Sequence, residues 1–416
     1  MPDHLSLSSP LAASLAPHQL VLLRDLGALA DERGAPAFLV GGAVRDVLLG
    51  ATIDDLDIVI EGDAPALGRA LTARFGGELV VHGEFGTANW QTPDGDDVDL
   101  VTARSEVYPE PAALPVVTPS DLGDDLARRD FTINAMAIAL SPARWAALVD
   151  PFGGRADLDA GVVRVLHAGS FVDDPTRAWR AARFAGRLGF HLAPETLGVL
   201  RAARDDGSLS RLGLERLGNE LKYVIREAAA MSVFELAEVW GLLGLLHPAL
   251  QEPGLIAHLR GAREAAGELA DEVTWLALSA AIPKWDRKGL VRVVPGGGQR
   301  RKRWLLSPPA VERAVTALAE ARERSEAALA VYRLGEVERA YARGLVDEAG
   351  RGWLDWWEET GQHIRCALDG RVLMEVGVPN GPAVGKALHA ARLAAWNGAD
   401  AAEQMAAALR VGEGGG

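Results

Sequence analysis

Residues 38–60 read Phe-Leu-Val-Gly-Gly-Ala-Val-Arg-Asp-Val-Leu-Leu-Gly-Ala-Thr-Ile-Asp-Asp-Leu-Asp-Ile-Val-Ile. The short apolar run Ala37 to Val40 reads as a buried strand, and the glycines that end it open a tight turn. Gly41 to Gly50 then reads as a turn, a short helix and a terminating glycine, with a second strand over Leu56 to Ile60. Residues two apart on a strand share a face, so Asp55 and Asp57 present two carboxylates side by side. Two like charges held that close call for a cation. Mg²⁺ suits them, because it takes a few protein carboxylates and fills its shell with water and phosphate oxygens. An isolated Asp-x-Asp is more often a plain turn at a strand start. The upstream turn decides against that reading: Gly41 and Gly42 let backbone N–H groups approach a triphosphate, and Arg45 adds a fixed positive donor. A Walker loop is excluded, since no GxxxxGK followed by Ser or Thr occurs here.

Working outward, further strand signals lie at Glu78 to His82, Thr87 to Gln91 and Val98 to Thr102. Helix signals lie at His18 to Arg33 and Ala64 to Phe75. The first 150 or so residues are therefore mixed α+β, whereas beyond Asp173 amphipathic helix patterns run to the end. Breaks are expected near Gly207, at Pro248 to Pro253, at Pro295 to Gly298 and at Pro379 to Pro382. Asp97-Val98-Asp99-Leu100-Val101 is the expected source of a third acid, with Asp99 the choice, because two-metal phosphoryl transfer collects carboxylates from adjacent strands. Leu126-Ala-Arg-Arg-Asp-Phe-Thr-Ile-Asn-Ala135 adds Arg128, Arg129 and Asp130 just before an apolar run. In Phe171-Val-Asp-Asp-Pro-Thr-Arg-Ala-Trp-Arg-Ala-Ala-Arg-Phe184, Asp and Pro mark a helix start. There Arg177, Arg180 and Arg183 recur every three residues and sweep round one side of the helix. An arginine clamps phosphates and also hydrogen-bonds the Watson–Crick edge of a base, so this face suits an incoming nucleotide.

Composition narrows the alternatives. The 416 residues, 49% hydrophobic and 24% charged, suffice for several packed units. The single cysteine, Cys366, forms no internal disulfide and no redox or zinc pair, so no oxidising compartment is called for. No apolar stretch approaches the length of about 18 residues that reads as a bilayer span, and the opening segment lacks a basic start and a long apolar core. The expectation is a cytoplasmic protein with no membrane partner. The net charge of −14 argues against indiscriminate nucleic-acid binding but leaves room for a local patch. Lys284 to Trp304 is such a patch, with eight Lys or Arg and one acid.

Taken in order, FLVGGAVRDVLLG with IDDLDIVI, ARRDFTINAMAI, VDPFGGRADLDAGVVRVL, FVDDPTRAWRAARF and LERLGNELKYVI resemble the class II tRNA nucleotidyltransferases and bacterial poly(A) polymerases. The family lies within the nucleotidyltransferase superfamily that includes polymerase beta. The resemblance covers about the first 230 residues, and the combination of motifs is highly specific although each alone is not. It implies an α+β, five-stranded head over residues 1–150, a helical neck over 151–230, and a helical body and tail over 231–416 that bind tRNA. It carries metal binding over to Asp55 and Asp57 and triphosphate contacts to Gly42, Arg45 and Arg129. Asp174 and Arg177 would read the base edge of CTP or ATP, Arg180 and Arg183 would lie near the nucleotide, and Glu215 and Arg216 would brace that helix. Downstream, LAEVWGLLGLLHPAL and the stretch from Leu373 to Met405 are similar to body and tail segments.

The chain departs from the commoner pattern at Asp173-Asp174, where the motif opens with Glu-Asp. That leaves open whether C, A or both are added. No His-Asp phosphohydrolase pair occurs. The expected activity is template-independent addition of C and/or A from CTP and ATP to a tRNA 3′ end, with Mg²⁺ as cofactor. The alternatives are a poly(A) polymerase, a partial A-adding or CC-adding enzyme, and a non-catalytic RNA-binding protein on a decayed head. The missing basic C-terminal extension weighs against the poly(A) polymerase, and intact Asp55, Asp57 and Arg177 weigh against the non-catalytic reading. Oligomeric state is not legible in the sequence.

Overall fold

The computed structural model describes residues 5–53, 55–82, 86–288 and 306–412. The chain divides into two compact units, one of Met1–Glu220 with Glu227–Leu245, the other of Leu221–Arg226 with Leu246–Gly416.

The first unit is built on a seven-stranded mixed sheet. Its strands are β1 (Ala37–Val40), β2 (Leu56–Ile60), β3 (Glu78–His82), β4 (Thr87–Gln91), β5 (Asp97–Thr102), β8 (Ala137–Ala139) and β9 (Leu148–Val149); β6 (Arg104–Val107) and β7 (Val116–Pro119) form a separate hairpin. The order is β3-β4-β5-β2-β1-β8-β9, with β2 and β5 parallel and the other neighbours antiparallel. The five-stranded head implied by resemblance is thus extended by two strands beyond β1. The segments AIA and LV are too short to show a period of two, and β8 is buried along its whole length, so no alternation marks it.

Burial explains the arrangement. In β2 the pattern is buried at every residue except Asp57. Leu56, Ile58 and Ile60 enter a core with Leu39, Trp90, Val98 and Leu100. Each such side chain contributes roughly 1.5–3 kcal/mol of transfer free energy. The Ala64–Phe75 helix starts with the Asp63 carboxylate accepting the Ala66 N–H, and it lays Leu67, Gly68 and Leu71 on the sheet. The opposite face is covered only in part, by Phe38, Val40 and Val59 with Leu122 and Leu126 of the Leu122–Ala127 helix. Asp57 stands on that face, beyond the cover.

After the sheet come short helices over Gly154–Asp159 and Ser170–Asp173, then the arginine-rich helix Thr176–Leu188, stopped by Gly189 in the left-handed conformation at φ 69°. Among its described residues the second unit has helices and no strand. Its C-terminal cluster packs Leu373, Val378, Ala387, Ala391 and Ala408. Trp275, Trp357 and Trp396 are buried in this unit, whereas Trp285 is exposed. Most of the basic segment Lys284 to Trp304 falls outside the described residues. Among the described residues no helix is long and apolar enough to cross a membrane.

One close approach seats the Gly154–Asp159 helix against the turn that precedes β8. A Cβ on Gly154 would lie 2.2 Å from the Thr132 carbonyl oxygen and 2.9 Å from the Met136 Cγ. Thr132 opens the 3₁₀ turn Thr132–Asn134, which is also tied down by its hydroxyl donating to Asp157 at 2.7 Å. Backbone cannot move aside cheaply, so Gly154→Ala is expected to cost about 1–3 kcal/mol, read as a lower urea midpoint. An unchanged midpoint contradicts this packing.

Candidate nucleotide-binding and active site

A pocket of about 530 Å³ opens in the first unit where the glycine turn, the 3₁₀ turn and the arginine helix meet. Its wall carries seven arginines (45, 128, 129, 177, 180, 183 and 187) and five carboxylates (Asp57, Glu106, Asp130, Asp174 and Glu220). Gly42 and Phe184 also line it. Gly41 has φ 71°, and a Cβ there would lie 2.7 Å from an Arg129 terminal nitrogen. Glycine is needed at that position for its conformation, whereas the flexible Arg129 terminus could yield to a Cβ.

One buried acid joins the pieces. Asp130 accepts the Phe131 N–H and the Asn134 amide on one oxygen, each at 2.9 Å. Its other oxygen accepts Arg180 Nε at 2.9 Å and a terminal nitrogen at 2.6 Å. Asn134 in turn accepts from Arg45 at 2.7 Å, and Arg45 also grips Asp46. Burial alone would raise the Asp130 carboxyl. The Arg180 charge, the hydrogen bonds from Asn134 and Arg180, and the more distant Arg177 outweigh it and hold the carboxyl below its ordinary value.

A second carboxylate organises the neighbouring arginines. Asp125, fully buried, accepts Arg128 at 2.7 Å on one oxygen and Arg129 at 2.9 Å on the other. Arg128 reaches on to Glu106 at 2.9 Å, whose other oxygen accepts the Tyr108 hydroxyl at 3.1 Å. Burial, with the Glu106 charge and hydrogen bond, pushes Tyr108 up to about 12.

The arginine helix starts as expected from its Asp and Pro. Asp174 Oδ1 accepts the Thr176 N–H at 3.0 Å and also takes Arg216 at 2.5 Å. Arg216 holds the Ala112 carbonyl through its other terminal nitrogen. Arg177 is 4% exposed and donates to Ser170 Oγ at 2.7 Å and the Arg128 carbonyl at 2.8 Å. Glu215 is exposed, so only Arg216 of the expected bracing pair reaches the helix start. The carboxylate that turns inward from the Leu214–Arg226 helix, which also carries Glu215 and Arg216, is Glu220, facing Arg180 and Arg183. Burial raises its carboxyl, against the pull of both arginines.

The acids on the sheet are in register. Asp57 and Asp99 are direct partners across the parallel β2–β5 pair, and Asp55 lies two residues before Asp57. Partial burial, then the like charge of Asp99, pushes the Asp57 carboxyl up; Arg129 pulls it down and Asp55 adds to the rise. Asp57, its carboxyl pushed up and its face open to solvent on one side, stands beside Asp99 and near Asp55, and carboxylate oxygens are what a divalent cation completed by water and phosphate oxygens takes. Of the three acids only Asp57 lines the pocket.

The structure therefore gathers Gly42, Arg45, Arg129, Asp174, Arg177, Arg180 and Arg183 with Asp57 around one cavity, and sets Asp99 beside Asp57. Asn134, Glu106, Tyr108 and Glu220 line the pocket without being expected from the sequence, and Asp130 stands there with no expected role. A lone Asn inside the apolar run Phe131 to Ile138 was the available signal for Asn134, since a buried amide needs a partner.

Fold and pocket together define a nucleotidyltransferase head: the Poly A polymerase head domain family matches residues 37–164. Over the whole chain, the CC-adding tRNA nucleotidyltransferase of Deinococcus radiodurans is 34% identical across 406 residues, covering 96% of this chain and 95% of that one. The chain belongs to the class II tRNA nucleotidyltransferase family. The A-adding tRNA nucleotidyltransferase of Halalkalibacterium halodurans is 44% identical over 238 residues, 56% of each chain. The chain spans about half the length of that relative and about a quarter of two further A-adding ones. The structure of the Thermotoga maritima CCA-adding enzyme complexed with tRNA superposes with a TM-score of 0.81 at 27% identity over 99% of both chains. Nucleotidyltransferases with this kind of head use divalent metal ions.

Asp130 offers a direct check. Its depressed carboxyl contributes stability that is fully present above the unfolded value of about 3.9 and is lost as pH falls through the lower folded value. Arg180 is 33% exposed, so solvent softens the loss. Asp130→Asn is expected to cost about 2 kcal/mol at neutral pH. Denaturant unfolding of both proteins should show a constant gap from pH 8 to about 5 that narrows below about 4. A gap that widens toward acid contradicts the assignment.

Proposed function

We propose that the chain adds C and/or A residues, from CTP and ATP, to the 3′ end of tRNA, without a nucleic-acid template and with release of pyrophosphate. The observation that carries the reading is the joining of Asp57, the glycine turn and the Asp174–Arg177 helix start in one arginine-lined pocket. The family membership and the tRNA-bound relative support it. Substrates of this kind also place the work in the cytoplasm.

Each residue has a distinct task. Gly42, Arg45 and Arg129 take the triphosphate, the glycine by close backbone approach and the arginines by charge. Asp55 and Asp57, with Asp99 beside them, hold Mg²⁺. When bound, Mg²⁺ lowers the proton affinity of the attacking hydroxyl and neutralises charge on the leaving pyrophosphate. Asp174 and Arg177 take the edge of the base. Arg177 suits this role because Ser170 and the Arg128 carbonyl fix its guanidinium before any ligand arrives, which lowers the entropy lost on binding. Arg180 and Arg183 flank the nucleotide. In the reaction the tRNA 3′ oxygen forms a bond to the α-phosphorus in line with the α–β bridging bond that breaks. The helical second unit is left to hold tRNA by shape and phosphate contacts.

Incorporation of labelled CTP and ATP, separately and together, on tRNA transcripts ending before CCA, after C and after CC tests the proposal. Extension of all three to CCA makes the chain a complete CCA-adding enzyme. Addition of A to the CC-ending transcript alone makes it A-adding, and extension that stops at CC makes it CC-adding. Long A tails on any RNA would favour the poly(A) polymerase reading instead. Asp55→Ala is expected to lower incorporation of every nucleotide by at least about 10³-fold, with tRNA binding retained. Loss of tRNA binding in that variant would make the carboxylate structural.

A further inference from the structure

The row of polar side chains on the open face of the sheet continues one strand further than the proposed chemistry uses, from the acids to an amide. β5 lies between β2 and β4, and Asp99 is the direct partner of Asp57 on one side and of Asn89 on the other. Directly paired residues on adjacent strands point to the same face, so Asp57, Asp99 and Asn89 form one line across three strands. Ala88 and Trp90, the flanking residues of β4, are buried on the other face. The Asn89 amide Nδ2 donates to Asp99 Oδ1 at 2.9 Å.

An exposed Asp99 beside a second carboxylate is free to swing its own carboxylate toward solvent, which relieves the repulsion between them. A hydrogen bond to one oxygen opposes that rotation and leaves the other oxygen available. Among side chains that can supply it, Asn is short and neutral. Asp offers no donor and adds charge, while Lys would compete as a cation for the same carboxylate. Asn is also depleted in strands, so strand propensity gives no reason for it at the centre of a five-residue strand.

We infer that Asn89 is the positioning residue of the acid site: its amide holds Asp99 so that the free carboxylate oxygen joins Asp55 and Asp57 in binding a divalent cation. The inference rests on the metal role proposed for those acids. Asn89 itself touches neither metal nor nucleotide; it acts through Asp99.

The test is a titration of the full chain with Mn²⁺, read by electron paramagnetic resonance of the free ion, for wild type, Asn89→Ala, Asn89→Ser and Asp99→Ala. Urea unfolding serves as a fold control. Asn89→Ala is expected to weaken Mn²⁺ binding about 10-fold, the lower end of the loss when a residue bonded to a metal ligand is removed. Asn89→Ser, which keeps a short donor, should recover part of that loss. In steady-state incorporation, Asn89→Ala should lower kcat with the nucleotide KM nearly unchanged. Wild-type Mn²⁺ affinity in Asn89→Ala, alongside weakened binding in Asp99→Ala, overturns the inference and leaves the acid site standing. Unchanged binding in Asp99→Ala as well removes Asp99 from the metal site, and that part of the proposed function falls with it.

Discussion

The Asp130 carboxylate is the contact on which the rest of the site depends. It is 7% exposed and joins a local partner, Asn134 four residues on, to a remote one, Arg180 fifty residues on. Through Asn134 it sets Arg45, and with it the helix that continues from the glycine turn; directly, it sets Arg180 on the arginine helix. A buried carboxylate is tolerated only when its lone pairs are filled by charged or amide donors, and here both oxygens are. The same bonds that make burial possible fix the distance between the turn and the helix. The pocket between those two elements therefore exists before any ligand enters.

Seven guanidiniums around one cavity repel one another, and the protein counters this in two ways. Carboxylates stand between them: Asp125 for Arg128 and Arg129, Asp130 for Arg180, and Glu227 near Arg183 and Arg187. The Phe184 ring supplies the second. Arg45, Arg180, Arg183 and Arg187 all lie 5.2–5.6 Å from its centroid, within range of the ring quadrupole. Compensation is uneven. Burial works against the charge on Arg180, but Asp130 more than restores it. Arg183 and Arg187 are left with lowered proton affinity, burial being the larger cause in each and like-charged arginines adding to it. A cavity with this surplus of donors is complementary to a polyanion, as a nucleoside triphosphate is.

Much of this was legible in the sequence, and the limits have physical causes. The strand–glycine–helix–Asp-x-Asp order stands as read, because turns and capping residues act locally: the Ala64–Phe75 helix and the strands Glu78–His82 and Thr87–Gln91 have the expected bounds. The arginines at 177, 180 and 183 do converge on one cavity, as the three-residue spacing predicts. What the pattern lacked was pairing over distance. Asp130 to Arg180 spans fifty residues, and nothing in either segment marks the other as its partner. Glu220 was missed in favour of Glu215 because both lie on one helix, and only packing tells which side turns inward. The strands β8 and β9 hid in short, wholly or partly buried segments that have no polar face to alternate with. Asn89 looks like any solvated strand residue until the register places it against Asp99.

On the proposed function the protein itself selects the nucleotide, through a pocket set in place before tRNA or substrate arrives. Equilibrium binding of CTP, ATP, UTP and GTP to the full chain in the absence of any RNA tests it most directly. CTP, ATP or both are expected to bind measurably tighter than UTP and GTP, and Arg177→Ala to flatten the difference while leaving triphosphate binding in place. Equal affinity for all four nucleotides in the wild-type chain would contradict it, because the choice of base would then have to come from the RNA.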